Sequence, residues 1–280
     1  MTDNRPIGVF DSGIGGLTVL REIWNNVPDE GTIYFGDNSR APYGTKSRST
    51  VIRYSLQNMK FLETKDVKLI VIACNTASAY AYEELKKRAT VPVVEVVTPG
   101  ADKACRATKN GRIGIIATKA TVSTGVYKDA IERRAKELGM ENIEIFQQAC
   151  PLFVSLAEEG WWDTEVTRLT AEEYLKPLKE AGVDTLVMAC THYPLLSKVI
   201  GEVMGDGIML VNTGEATAEV VKELLGSESI ATESGSKSPV REFYTSDEPE
   251  LFEKVAAPFL GEGLPSGTRH FTTDRYEVTV

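Results

Sequence analysis

The chain is poor in the residues that most often build metal centres and disulfide frameworks. It has two histidines, His192 and His270, and four cysteines, Cys74, Cys105, Cys150 and Cys190, none of them in a C-x-x-C pair. Without ligand-pair spacing a metal site is not expected. A disulfide framework belongs to short, cysteine-dense secreted chains, so each cysteine here is read singly. Basic charge is also scarce: 31 Lys and Arg against 40 Asp and Glu leave a formal net charge of -9. With no basic block interleaved with aromatics, a nucleic-acid partner is disfavoured. No apolar run approaches the roughly 18 residues of a membrane-spanning helix, and the polar start Met1-Thr2-Asp3-Asn4-Arg5-Pro6 lacks a signal-peptide core. The expected setting is the cytoplasm, away from membranes.

What the chain does have is an ordinary globular balance, 42% hydrophobic and 25% charged residues over 280 positions, enough for one large or two small domains. Short β-branched runs alternate with amphipathic stretches: residues 7–10 precede 17–24, and residues 69–73 precede 78–88. Further apolar runs at 93–97, 113–117, 143–146, 185–189 and 209–212 read as strands, which together predict a parallel α/β architecture.

The chain also resembles itself. Ile7-Gly8-Val9-Phe10-Asp11-Ser12 is similar to Ile113-Gly114-Ile115-Ile116-Ala117-Thr118, so Ser12 corresponds to Thr118. Leu69-Ile70-Val71-Ile72-Ala73-Cys74-Asn75-Thr76 is similar to Thr185-Leu186-Val187-Met188-Ala189-Cys190-Thr191-His192. Strand-to-helix units share composition for packing reasons alone, but a shared alanine, cysteine and polar pair goes further. The reading is two similar parallel-sheet α/β domains related by pseudo-symmetry, with a site in the cleft between them. Thr98-Pro99-Gly100 punctuates the chain between the halves, and the return falls near Asn212-Thr213-Gly214. The expected division is 1–98 plus 212–280 against 99–211. Residues 227–238 read as a loop, 241–245 as a late strand and 249–260 as a helix, a tail that packs onto the first half.

Cys74 and Cys190 each follow a strand, at the carboxyl edge where ligands bind in open α/β sheets, and each stands before an expected helix. Backbone N–H groups at a helix start favour thiolate, although a single cysteine in such a place is as often structural packing. Two thiols in matched positions suggest a different chemistry from covalent catalysis, which needs one nucleophile and a separate base. Inverting a carbon acid requires proton removal from one face and delivery to the other, and two opposed thiols can do both. Gly13-Ile14-Gly15-Gly16 does not read as a phosphate cradle, because Thr18 stands where the last glycine of G-x-G-x-x-G belongs and no Walker lysine follows. Asp11 as a phosphotransfer nucleophile would lack a second metal-binding carboxylate in its turn.

The runs Phe10-Asp11-Ser12-Gly13-Ile14-Gly15-Gly16-Leu17-Thr18, Ala41-Pro42-Tyr43-Gly44, Ala73-Cys74-Asn75-Thr76 and Ala189-Cys190-Thr191-His192-Tyr193-Pro194 resemble glutamate racemases of the aspartate/glutamate racemase family. The tail Phe243-Tyr244-Thr245-Ser246-Asp247, with Phe252 and Phe259-Leu260-Gly261, is also similar, so the likeness spans nearly the whole chain. The resemblance implies an isomerase that interconverts L- and D-glutamate without pyridoxal phosphate or metal, with Cys74 and Cys190 as catalytic thiols. Asp11 would tune Cys74 or accept from the substrate ammonium, while His192 and one of Glu158 and Glu159, with Glu158 favoured, would assist Cys190. Asp11, Ser12, Pro42, Tyr43, Gly44, Asn75, Thr76, Thr118, Thr191 and His192 would contact glutamate. The family pattern after Pro151-Leu152-Phe153-Val154 continues with proline, where this chain has Ser155. Cys105 and Cys150 match no catalytic position, and His270 reads as a surface residue. The resemblance further implies a homodimer and a supply of D-glutamate for peptidoglycan and so for cell shape. The alternatives are an aspartate or hydantoin racemase of the same superfamily, or a non-catalytic two-lobed protein that binds a small molecule.

Overall fold

The computed structural model describes residues 2–233, 239–261, 263–264 and 267–280. The chain begins β1 (Ile7–Asp11), α1 (Leu17–Asn26), β2 (Thr32–Gly36), α2 (Arg48–Glu63), β3 (Leu69–Ile72), α3 (Asn75–Arg88) and β4 (Val93–Glu95). It continues α4 (Val97–Ala107), β5 (Arg112–Ala117), α5 (Lys119–Thr124), α6 (Val126–Glu137), β6 (Glu144–Ala149), α7 (Leu152–Glu158), α8 (Glu165–Glu180), β7 (Thr185–Ala189), α9 (Ser197–Met204) and β8 (Met209–Asn212). Then come α10 (Thr213–Ser227), β9 (Arg241–Thr245), α11 (Pro249–Leu260) and β10 (Thr268–His270).

Two sheets form, in the orders β10-β9-β2-β1-β3-β4 and β6-β5-β7-β8, with every strand pairing parallel. The order β2-β1-β3-β4 repeats as β6-β5-β7-β8, so the two stretches that resemble each other in sequence, β1 with β5 and β3 with β7, hold equivalent places. This bears out the two-sheet parallel fold. All residues of β1, β3 and β7 are buried, as strands covered by helices on both faces must be, which is why they read as unbroken apolar runs.

Register then sets the site. Phe10 of β1 pairs with Ile72 of β3, and the Ala73 N–H donates to the Phe10 carbonyl at 3.0 Å, so Asp11 and Cys74 emerge together at the strand ends. In the second sheet Ala117 pairs with Ala189, bringing Thr118 and Cys190 out side by side. One face of the first sheet buries Leu17, Leu20, Ile23 and Trp24 of α1 against Phe243, Phe252 and Phe259 of the tail. Such side chains each contribute about 1.5–3 kcal/mol on burial. The tail is thus integral to the first sheet: β9 pairs with β2, and Trp24 meets Phe243 edge to face at 6.1 Å.

Thr98-Pro99-Gly100 is not a linker. β4 ends at Glu95, not at 97, and these three residues lie in the first turn of α4. Proline is accommodated there because its missing N–H would find no partner within the helix. The Glu95 carboxylate caps the Val97 N–H and also the Thr98 N–H, the latter at 2.8 Å. Gly100 permits a close crossing, since a Cβ there would lie 2.8 Å from Thr213 Cγ2, so both chain crossings between the sheets pass beside each other. β6 is displaced from the expected 143–146 to Glu144–Ala149, and β2 and α2 are additional elements between the β1 and β3 stretches. Of the expected loop at 227–238, residue 227 ends α10 and 234–238 lie outside the described residues.

Candidate active site

Cys74 caps α3, with its Sγ accepting the Ala77 N–H at 3.4 Å and standing 3.6 Å from Ser12 Oγ, to which it donates. It is 6% exposed. Burial, reinforced by the negative charge of Asp11, pushes its thiol up to about 12, so the resting group is a proton donor. Cys190 adds to the same upward push, which places the two sulfurs within each other's field. Asp11 is wholly buried, and burial raises its carboxyl above the usual range. Its Oδ2 accepts the Gly13 N–H at 2.9 Å, whereas Oδ1 has no hydrogen-bond partner among the described residues.

Cys190, also 6% exposed, differs from the expectation of a helix start. It is followed by a 3₁₀ turn, Tyr193–Leu196, and α9 begins only at Ser197, because Pro194 cannot supply a helical N–H. Positive charge comes from a side chain instead. His192 Nδ1 lies 3.8 Å from Cys190 Sγ, and its Nε2 lies 2.8 Å from Glu158 Oε1. Burial works against the imidazolium, yet Cys190 and Glu158 outweigh it and hold His192 at about 10, up from 6.5. Of the adjacent glutamates it is Glu158 that reaches the ring, from an otherwise exposed position.

A pH dependence follows. A histidine raised from 6.5 to about 10 on folding contributes stability that is complete below pH 6.5 and is lost as pH rises through about 10. Glu158→Gln removes one of the two raising partners and so lowers the upper limit of this window while leaving its onset near pH 6.5. The variant should therefore melt below the parent at pH 6 and stop losing stability at lower pH, the gap narrowing toward pH 10. Thermal unfolding of both proteins from pH 6 to 10 checks this. Superimposable profiles would refute the role given to Glu158, and the alkaline ionisation of Cys74 cancels between them.

The cleft is closed by contacts between the two sheets' ends. Thr18 Oγ1 donates to the Thr191 carbonyl at 2.8 Å. Thr76 Oγ1 meets Thr118 Oγ1 at 3.1 Å and Thr121 Oγ1 at 3.3 Å. Asn75 accepts from the Tyr127 hydroxyl, and Gly44 lies so close to Thr118 that a Cβ would come within 3.0 Å of its Cβ. Ser12 and Thr118 are half-buried, Pro42 is exposed, and Asn75, Thr76, Thr191 and His192 are buried. The Tyr43 side chain is engaged away from a ligand: its hydroxyl donates to Asp37 and accepts from Asn58 at 3.0 Å. Arg40 braces it from behind, pairing with Asp37 at 2.7 Å and Asp274 at 2.9 Å.

Cys105 is buried against the Ile131 carbonyl, Cys150 is buried at the end of β6, and His270 is exposed in β10. A cavity of about 770 Å³, lined by residues that include Glu95, Asp102, Lys103, Arg133 and Glu219, contains neither Cys74 nor Cys190. Its acids and bases largely pair with each other. Three residues outside the expected site set touch the thiol cleft's walls: Tyr127, Gly15, and Phe259, whose ring meets His192 edge to face at 5.6 Å. Gly15 sat in a glycine run whose spacing was informative. Phe259 belongs to the family-like tail but to a distant element, α11, while Tyr127, in α6, carries no local signature.

The profile described as Asp/Glu/Hydantoin racemase matches residues 7–221. The chain belongs to this family. It is accordingly a racemase, an isomerase, and the racemase resemblance in its motifs is borne out. It is 51% identical to a glutamate racemase of Geobacter metallireducens, over 93% of this chain and 94% of that one. Among solved structures it is similar to a glutamate racemase from Francisella tularensis in complex with D-glutamate, at 36% identity and TM-score 0.89, covering 98% of this chain and 100% of the other. It also resembles a glutamate racemase isoform, RacE1, from Bacillus anthracis, at 32% identity and TM-score 0.90, covering 96% and 98%. No helix among the described residues is long and apolar enough to cross a membrane.

Proposed function

We propose that the protein interconverts L- and D-glutamate by proton transfer between two thiols, Cys74 and Cys190, without an added cofactor. The observation that carries this is the equivalence of the two cysteines, each buried at the end of the corresponding strand of its sheet, with the two sheets' ends joined beside them by Thr18 to Thr191 and Thr76 to Thr118. We take residues 1–98 with 212–280 as one lobe and 99–211 as the other, closing on the substrate like a clamp. One sulfur, as thiolate, removes the α-proton while the other delivers a proton to the far face, and the roles exchange in reverse. The Cys190 side is served by His192, whose imidazolium donates toward Sγ and is itself held by Glu158. On the Cys74 side the thiol is kept protonated by burial and Asp11.

Two buried atoms without a partner among the described residues fit the substrate's charges: Asp11 Oδ1 as an acceptor for the ammonium and Asn75 Nδ2 as a donor to a carboxylate. The exclusion of water strengthens both contacts and protects a carbanion. Glutamate is favoured over aspartate by the high identity to glutamate racemases and by the Francisella structure's complex with D-glutamate. From the family resemblance we carry forward a cytoplasmic homodimer that supplies D-glutamate for peptidoglycan.

The test incubates L-glutamate with the protein in D₂O, adding no cofactor, and follows deuterium at Cα together with optical rotation. Both should change, and aspartate, one methylene shorter, should react about 10–200-fold more slowly. Faster exchange on aspartate would replace the substrate. Binding of glutamate without exchange, persisting after both cysteines are replaced, would favour the binding protein instead.

A further inference from the structure

Tyr127 stands on α6 and is wholly buried, with no part in the proton transfers described above. Its hydroxyl nevertheless reaches across to the first sheet, donating to Asn75 Oδ1 and lying 3.4 Å from the Val96 carbonyl at the chain crossing. A phenol has one proton to donate. The contact to Oδ1 is short and the one to Val96 long, so the proton resides with the amide oxygen. Burial holds the phenol far above its ordinary range, which keeps that proton available at any working pH.

An asparagine amide is nearly symmetrical in shape but opposite in polarity at its two ends, and its orientation is decided by its partners. With Oδ1 occupied by Tyr127, the other end of Asn75 is Nδ2, a donor. That nitrogen is buried, next along the chain from Cys74, and has no partner among the described residues.

We infer that Tyr127 is a positioning residue: by donating to Asn75 Oδ1 it fixes the amide so that Nδ2 is presented to a carboxylate of the substrate. This rests on the amino-acid racemase reading of the cleft. Because Tyr127 belongs to the stretch carrying Cys190 and Asn75 to the stretch carrying Cys74, the donor is set only when the two lobes are together. The arrangement links closure to recognition of an anionic ligand. A turned amide would present Oδ1 to the ligand carboxylate and repel it.

The experiment uses the full-length protein and reads D-glutamate binding by calorimetry, alongside KM and kcat. Tyr127→Phe keeps the ring and deletes only the hydroxyl, so binding should weaken about 10-fold, on the scale of one hydrogen bond to a charged group. KM should rise more than kcat falls. In an Asn75→Ala background the same substitution should have no further effect, because Tyr127 acts through that amide. Unchanged binding in Tyr127→Phe, or an equal loss in both backgrounds, would overturn the inference. Asn75→Asp offers a second route that leaves Tyr127 in place: it keeps an acceptor for the phenol while replacing Nδ2 by oxygen, and it should lose binding even more severely. Retained affinity there would also overturn it. Failure of the wild type to exchange the α-proton counts against the racemase reading alone, since the role of Tyr127 is read on binding.

Discussion

Cys74→Ser and Cys190→Ser should each lower racemisation by at least about 1,000-fold while the protein remains folded. General acid–base groups contribute about 10²–10⁴-fold, and here each sulfur is the only such group proposed for its face of the substrate. Serine preserves shape at a site that is 6% exposed in both cases, so packing changes little. Its hydroxyl ionises far less readily than a thiol, however, and cannot serve as the base. The two variants should not be equivalent in what they retain. Each still holds one thiol, so each can exchange the α-proton of the single enantiomer whose α-proton faces the surviving sulfur. Polarimetry measures the lost inversion, and proton NMR in D₂O measures the retained one-sided exchange. If either variant racemises at the parental rate, the two-thiol mechanism is wrong.

Gly15→Ala should reduce kcat by about 100-fold through geometry alone. Gly15 lies in the turn between β1 and α1, and an added Cβ would overlap Thr191 Oγ1 and stand 2.5 Å from His192 Cε1 and 2.6 Å from Nδ1. The His192 ring cannot simply step aside. It is held between Cys190 and Glu158, with Phe259 against its edge. The methyl must therefore push the imidazole from Cys190 or part the lobes, and a misplacement of about 1 Å at reacting groups costs about 10²-fold. Steady-state kinetics should show the loss chiefly in kcat, and thermal unfolding at neutral pH should show a lowered midpoint, because an imidazolium pushed from Cys190 loses part of the stabilisation its partners supply. A variant with parental kcat would mean that the cleft opens wide enough for Gly15 and His192 never to meet during turnover.

The elements most legible beforehand were β1, β3, β5 and β7. Strands covered on both faces must be continuously apolar, and that pattern is visible without any partner. Their resemblance in pairs also pointed to two like sheets, which the repeated strand order explains. β2 was not singled out, although all its residues are buried. Nor was α2, whose buried face includes Ser55, Gln57 and Asn58 and so lacks a clean apolar stripe. Thr98-Pro99-Gly100 does not interrupt an element as proline and glycine usually do: proline is tolerated in a first helical turn, and the glycine serves a crossing with Thr213, while the chain passes between the sheets across this helix. The helix expected after Cys190 is a 3₁₀ turn for the related reason that Pro194 follows too soon.

By itself the sequence determined the fold class, the pairing of Cys74 with Cys190 and the family, since these rest on local runs of residues whose chemistry needs no neighbour to be recognised. Tertiary structure decided how the groups around the thiols are partnered. Only in three dimensions does Glu158 reach His192, does Tyr43 turn its hydroxyl to Asp37 and Asn58, and does Tyr127 cross to Asn75. The physical reason is that a hydrogen bond or a charge acts over a few ångströms of space, whereas the partners lie 34, 6, 15 and 52 residues apart along the chain. Local pattern can name candidate reacting atoms, but their protonation and orientation belong to contacts that only folding creates.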